Sequence, residues 1–187
     1  YSDGWKNNLI NRAMIAIDGY KAWFNNDAAG VHTILSDATQ PRVFCIPLGI
    51  RGAVAVGDPA FMARLQQNNY LAKPELAGAV AVEAAFADGD QNGSLAVLSP
   101  WGEVLKPNAL ISVTTTGTTI DNAALSSNGG AGYLQVLAAG GTWSIEIRHS
   151  TDNFVANDVN LLTFTANGTT ITAEQRAVTG TINRYVR

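Results

Sequence analysis

Two histidines and one Asp-rich loop are the residues best suited to chemistry in this chain. His149 stands beside Ser150 and Asp152 in "EIRHSTD", which contains the residue types of a nucleophile, a base and its orienter. Neighbouring residues of a strand point to opposite faces, so these three converge only if a special turn follows. A structural or exposed histidine is therefore the reading adopted for His149. His32 has no His/Cys cluster near it to complete a zinc site. In "DGDQNGS", Asp88, Asp90, Asn92 and Gly93 have the spacing that opens a calcium-binding EF-hand loop. The twelfth position is Ser99 rather than a bidentate Glu, and the flanks read as strands, so a polar hairpin loop is expected. Weak calcium binding there stays open.

Other constellations are thinner still. Serines are plentiful, yet no G-x-S-x-G elbow is present. "GGAG" (129–132) lacks the strand-to-helix context of a phosphate cradle. Trp5, Trp23, Trp101 and Trp143 could stack on sugars, but burial in a core or an interface is the ordinary use of such residues. Cys45, in the apolar run "VFCIPL", is read as a small buried hydrophobe. The expectation is no enzyme: no catalytic residue, no metal site and no cofactor.

The elements around these residues read as mainly β. "RAMIAIDGYKAWF" (12–24) alternates with a slip at Gly19, as a strand with a bulge does. Asn26 or Asp27 can cap a short helix over 28–36, where Val31, Ile34 and Leu35 recur at helical spacing. "PRVFCIPLG" (41–49) is a short strand. "GDPAFMARLQQNNYL" opens with Asp58 as a cap and Pro59 at the first helical position, which predicts a second short helix or an ordered loop. "AGAVAVEAAFADGD" (77–90) alternates as a strand and leads through an Asn-Gly turn into "NGSLAVLSPWG" (92–102), a hairpin arrangement. After "KPN" (106–108), Thr/Val/Ile-rich strands spaced by Gly, Asn and Asp turns follow the grammar of a β-sandwich. The expected division is a first β domain over 1–106 and a second over 107–187.

Charge bears on partners. Hydrophobic residues make up 47% of the chain and charged residues only 14%, for a net charge of −3. So little charge suits a surface covered by copies of the same chain, although a soluble β domain rich in small residues would have it too. The absence of Lys/Arg clusters argues against sequence-specific nucleic-acid binding. No apolar run reaches a membrane span. The chain begins at Tyr1 and stops at "NRYVR" within a strand pattern, so both ends are expected to be truncated relative to the gene product.

The order of segments resembles the tail tube (major tail) proteins of long-tailed phages. The resemblance rests on "AMIAIDGYKAWFNNDAAGVHTILSD", "PRVFCIPLGIRGAVAVGDPAFM" and "AGAVAVEAAFADGD", with Val80, Val82 and Phe86 on a Val-x-Val-x-x-x-Phe strand. The later part resembles the Ig-like or jelly-roll appendage of phage structural proteins. There it rests on Ile147, Ser150 and Asp152, then Gly180, Thr181, Arg184, Tyr185 and Arg187. The pattern departs in the alanine-rich 77–87 segment, and the usual N-terminal strands are not visible.

What the resemblance implies is a tail-tube-like β-sandwich or barrel with one short packing helix, followed by a second β-sandwich domain. It implies self-assembly into stacked, hexameric rings of a virion tail, contact with other tail proteins, and DNA passing through the lumen without specific binding. Host-surface glycans are a candidate partner of the C-terminal domain. Tyr20, Trp23, Val31, Ile34, Leu35, Val80, Val82 and Phe86 are the expected interface residues. The competing readings are a virion surface adhesin or carbohydrate-binding β-sandwich, using Trp143, Tyr133 and the loops at Asn128 and Asp152, and a trimeric capsid decoration protein. A hydrolase without a legible motif is the remaining alternative.

Overall fold

A computed structural model describes residues 13–17, 31–48, 52–73, 81–88, 101–165 and 171–187. Its architecture is mainly β, with several antiparallel sheets and, among the described residues, one six-residue helix. The contacts group the chain into two units, one of residues 1–44 and 63–97, the other of 45–62 and 98–187.

The first unit is organised around a long strand and its neighbours. Strand β1 (Ala13–Ile17) pairs antiparallel with β4 (Ala81–Asp88), with Ala13 opposite Phe86 and Ile17 opposite Val82. On its other side β4 pairs antiparallel with β3 (Pro59–Lys73), from Leu65 opposite Asp88 to Lys73 opposite Ala81. β4 is thus an inner strand, and its small residues fit that place. Ala84 and Phe86 are fully enclosed while Glu83, Ala85 and Ala87 are half-buried, the period-2 pattern of a strand with one face in a core. The Phe86 ring meets Phe44 of β2 (Arg42–Pro47) at a steep angle, with a centroid distance of 4.7 Å.

β3 overturns the expectation of a helix or loop after Asp58. The Asp58 carboxylate caps no helix: it accepts the Ala55 N–H at 2.8 Å and closes a turn in which Gly57 has φ 86°. Pro59, with no N–H to donate, then stands at the first position of the strand, where the loss matters least. Ala63, Leu65 and Gln67 are buried in alternation. The register then shifts between Gln67 and Asn69, a bulge that moves the inward phase to Tyr70, opposite the enclosed Ala84. Local helix-start chemistry yields here to pairing along the whole segment, because a strand with partners satisfies every backbone group.

Helix α1 (Val31–Ser36) falls inside the expected 28–36; the proposed caps Asn26 and Asp27 lie outside the described residues, as does the bulge expected at Gly19. Leu35 is buried and Ile34 half-buried, the narrow stripe by which so short a helix docks. Its exit is held by Asp37, which accepts the Thr39 N–H at 2.8 Å and pairs with Arg42 at 2.7 Å, at the first residue of β2. Ala38 adds a carbonyl that accepts a bond from Gln66 of β3.

In the second unit, β5 (Trp101–Glu103) pairs with the start of β3, Pro59 opposite Glu103 and Phe61 opposite Trp101. Of the hairpin expected through the Asn-Gly turn, residues 89–100 lie outside the described residues; the described part pairs with β3. A four-stranded sheet follows, ordered β6 (Ile120–Asp121), β11 (Tyr185–Val186), β8 (Glu146–Ser150), β9 (Val159–Thr163). Beside it β7 (Gly130–Val136) and β10 (Thr172–Val178) pair antiparallel over their full length. At Gly132 β7 lies close over the larger sheet: a Cβ there would come within 2.7 Å of Leu162 Cδ2 and 2.8 Å of Ile147 Cδ1. A larger residue would force the Leu162 and Ile147 tips to move. The Thr/Val-rich stretch from Ala109 to Leu125, expected to be stranded, enters a strand only at Ile120–Asp121. Propensity alone does not make a strand where no strand among the described residues pairs with the stretch.

Candidate functional site

The richest polar cluster among the described residues surrounds the end of β8, where His149, Ser150 and Asp152 were candidates for chemistry. The turn that could bring them together exists in part. Asn153 and Phe154 both take positive φ, 57° and 62°, and fold residues 150–158 into a tight loop. Such angles are uncommon outside glycine and mark a loop held by its surroundings.

The holding groups are Ser150 and Asp152. The Ser150 hydroxyl donates to Asp152 Oδ1 at 2.7 Å and accepts the N–H groups of Asp152 and Phe154 at 3.0 and 2.9 Å. Asp152 in turn accepts the backbone N–H groups of Val155, Ala156 and Asn157 at 3.2, 2.8 and 3.0 Å. The Ser150 hydroxyl, and then the backbone N–H groups, hold the Asp152 carboxyl below its usual range. His149 turns elsewhere: its Nδ1 accepts the Asn183 N–H at 3.0 Å and ties β8 to the segment before β11. Ser150 is wholly enclosed, its hydroxyl committed to three hydrogen bonds, so this serine cannot present its oxygen to a substrate in this arrangement. What the trio does chemically is fasten a loop and join two segments.

Around it runs a network of ions that sequence spacing did not disclose. Arg148 pairs with Glu146 at 2.7 Å and with Asp158 at 2.6 Å, and Asp158 also binds Arg187 at 2.7 Å. The Arg187 guanidinium lies 3.9 Å from the Phe154 ring centre, a cation–π contact. Arg184 grips Asp121 with both ends of its fork, at 2.6 Å each, joining β11 to β6. Arg184 and Arg187 were singled out as part of a pattern, but their partners Asp121 and Asp158 were not. Partners so far apart along the chain leave no local signal.

His149 gives a pH prediction. Burial lowers its pKa below the usual 6.5, and Nδ1 can accept the Asn183 N–H only while unprotonated. In the pH window below 6.5 the unfolded chain therefore binds the proton more readily than the folded one. This contribution to stability is complete above that value and is lost as pH falls through the lowered folded pKa. Thermal melts followed by circular dichroism are expected to shift downward from pH 7 to pH 5, and His149→Gln should shift less. An equal shift in both proteins would contradict the assignment.

Of the expected interface residues, Tyr20, Trp23 and Val80 lie outside the described residues. Val31 opens α1, and Val82 sits on β4 opposite Ile17 and Ala72. Ile34 is half-buried, whereas Leu35 and Phe86 are enclosed in their own chain at 7% and 1% exposure. Of the calcium-like loop, Asp88 ends β4 and the rest, Asp90 to Ser99, lies outside the described residues. No group of three or more His, Cys, Asp or Glu residues able to hold a metal occurs among the described residues. Cys45 is half-buried in β2, and desolvation pushes its thiol up to about 11, which keeps it protonated and unreactive near neutral pH.

Among the aromatic candidates, Tyr133 accepts a bond from Gln175 at 2.9 Å and Trp143 is half-buried, while Trp101 is 57% exposed with its ring edge-on to Phe61. Large apolar side chains reach solvent elsewhere in the second unit: Leu110, Val113, Leu137 and Val155 are all more than half exposed. No helix among the described residues is long and apolar enough to cross a membrane. No family model, no curated protein and no solved structure matches this chain.

Proposed function

We propose that this chain is a structural protein that assembles with copies of itself into stacked rings, the tail tube of a phage virion through which DNA passes. The second β unit would project from the tube and meet other tail proteins or host-surface glycans. The observation that carries this reading is the exposure of apolar side chains on a chain with little charge to keep copies apart. Leu110 is 94% exposed and Val155 85%, while charged residues are only 14% of the sequence. Burying apolar area contributes on the order of 25 cal/mol per Å², and a standard contact buries about 800 Å² on each partner. A contact of that size can outweigh the entropy of association. Two further features support the reading: the mainly-β architecture with a single short helix among the described residues, and strands at sheet edges that a closed ring would cover.

Light scattering across a concentration series tests it. A particle about six times the mass of the 19.7 kDa chain, growing in steps of that unit, is expected. A monomer at every concentration would defeat the proposal, and a trimer would favour the capsid decoration reading. The exposed Trp101 beside Phe61 is the one observation that favours a carbohydrate-binding role. Glycan binding by a monomer, lost in Trp101→Ala, would select it.

A further inference from the structure

Residues 109–119, "ALISVTTTGTT", have the composition of a strand but belong to none. They form no backbone hydrogen bond with another described residue. The segment leads directly into β6, the terminal strand of its sheet, whose neighbour β11 is only two residues long. Near its far end the segment passes the C-terminal residue: a Cβ at Gly117 would lie 3.8 Å from the Arg187 backbone. Leu110 and Val113 are 94% and 64% exposed, and Ser112 and Thr114 to Thr116 are exposed as well. A run of β-branched residues whose N–H and C=O groups have no backbone partner among the described residues can serve as a template for pairing with another chain.

We infer that residues 109–119 form an assembly arm, which adds as a strand to the outer edge of β9 in a second copy of this chain. The inference rests on the assembly reading above and names a segment that would carry it out. Two observations select a second copy. β9 is the opposite terminal strand of the same sheet, so arm and edge lie at its two ends, the head-to-tail relation from which rings are built. Arm and edge also match in charge: residues 107–120 contain no charged residue, and neither does β9, "VNLLT". Val159, at its start, is 41% exposed and would meet the apolar side chains of the arm. A strongly charged partner finds nothing complementary in either.

The test exploits the alternation of a strand, in which successive N–H groups point to opposite edges. Thr115→Pro and Thr116→Pro each remove one N–H from an exposed position. Both variants should keep the parent's circular dichroism and melting temperature, because both positions are exposed and form no backbone hydrogen bond with another described residue. In light scattering, one should lose assembly at least tenfold in concentration while the other stays close to the parent. In a Cys45→Ser background, copies with Thr115→Cys or Thr116→Cys mixed with copies carrying Asn160→Cys should form a mixed disulfide dimer under oxidation for at least one arm position.

If the parent assembles and both proline variants assemble equally well, the arm is overturned while the assembly reading stands. Unfolding of both variants would also overturn it, by showing that the segment has a partner within the chain. Proline sensitivity without a mixed disulfide would overturn the β9 edge as the acceptor. A monomeric parent would end the assembly reading and the arm with it.

Discussion

Phe86→Ala is expected to lower the stability of the first unit by about 3–5 kcal/mol, the usual cost of emptying an enclosed aromatic site. Phe86 is 1% exposed, sits on the inner strand β4 between β1 and β3, and meets the Phe44 ring at 4.7 Å. The small side chains along β4 leave few groups able to move into the space. Phe86→Leu keeps most of the volume and should cost about 1.5 kcal/mol or less. Urea unfolding followed by circular dichroism measures both. The pair also distinguishes core from interface. If Phe86→Ala left stability unchanged but reduced assembly, the side chain would belong to a contact between subunits, contrary to its burial here.

Gly129→Ala should be strongly destabilising in the second unit. Gly129 has φ +68°, a region that costs a residue with a Cβ about 1–3 kcal/mol at a strained site. The added methyl would also stand 2.2 Å from the carbonyl oxygen of Val178, a backbone atom held by the pairing of Val178 with Gly130. Relieving that collision means parting the ends of β7 and β10, for about another 1–3 kcal/mol. Gly140 is the control, since a Cβ there meets nothing within 4 Å and its φ is ordinary. Gly140→Ala is expected to change the melting temperature by a degree or so at most, on the scale of ordinary surface substitutions. Equal melting temperatures for the two variants would contradict this account of the β7 turn.

The parts of the fold legible in the sequence are those where local pattern and tertiary partner agree. The alternation of "VEAAFA" matched a strand with one buried face, and the stripe of Val31, Ile34 and Leu35 matched a short helix that buries Leu35. β3 was not legible, because Asp-Pro reads locally as a helix start and nothing nearby shows that strands will flank the segment on both sides. The reverse error fell on residues 109–119, whose Thr and Val content promised a strand where no strand among the described residues pairs with them.

At the polar cluster, alternation was a sound reason to keep His149 apart from Ser150, and the two do face different partners. It could not foresee that Asn153 and Phe154, both at positive φ, would fold Asp152 back onto Ser150. The pairings of Asp121 with Arg184 and of Asp158 with Arg148 and Arg187 join residues distant in sequence. They arise from sheet order, which no local pattern encodes.

Negative-stain electron microscopy of the purified, concentrated protein tests the proposed tube most directly. Rings with a central channel, stacking end to end into tubes of constant diameter, are the expected result. Fields of separate single particles at every concentration, or compact trimers without a channel, would contradict it.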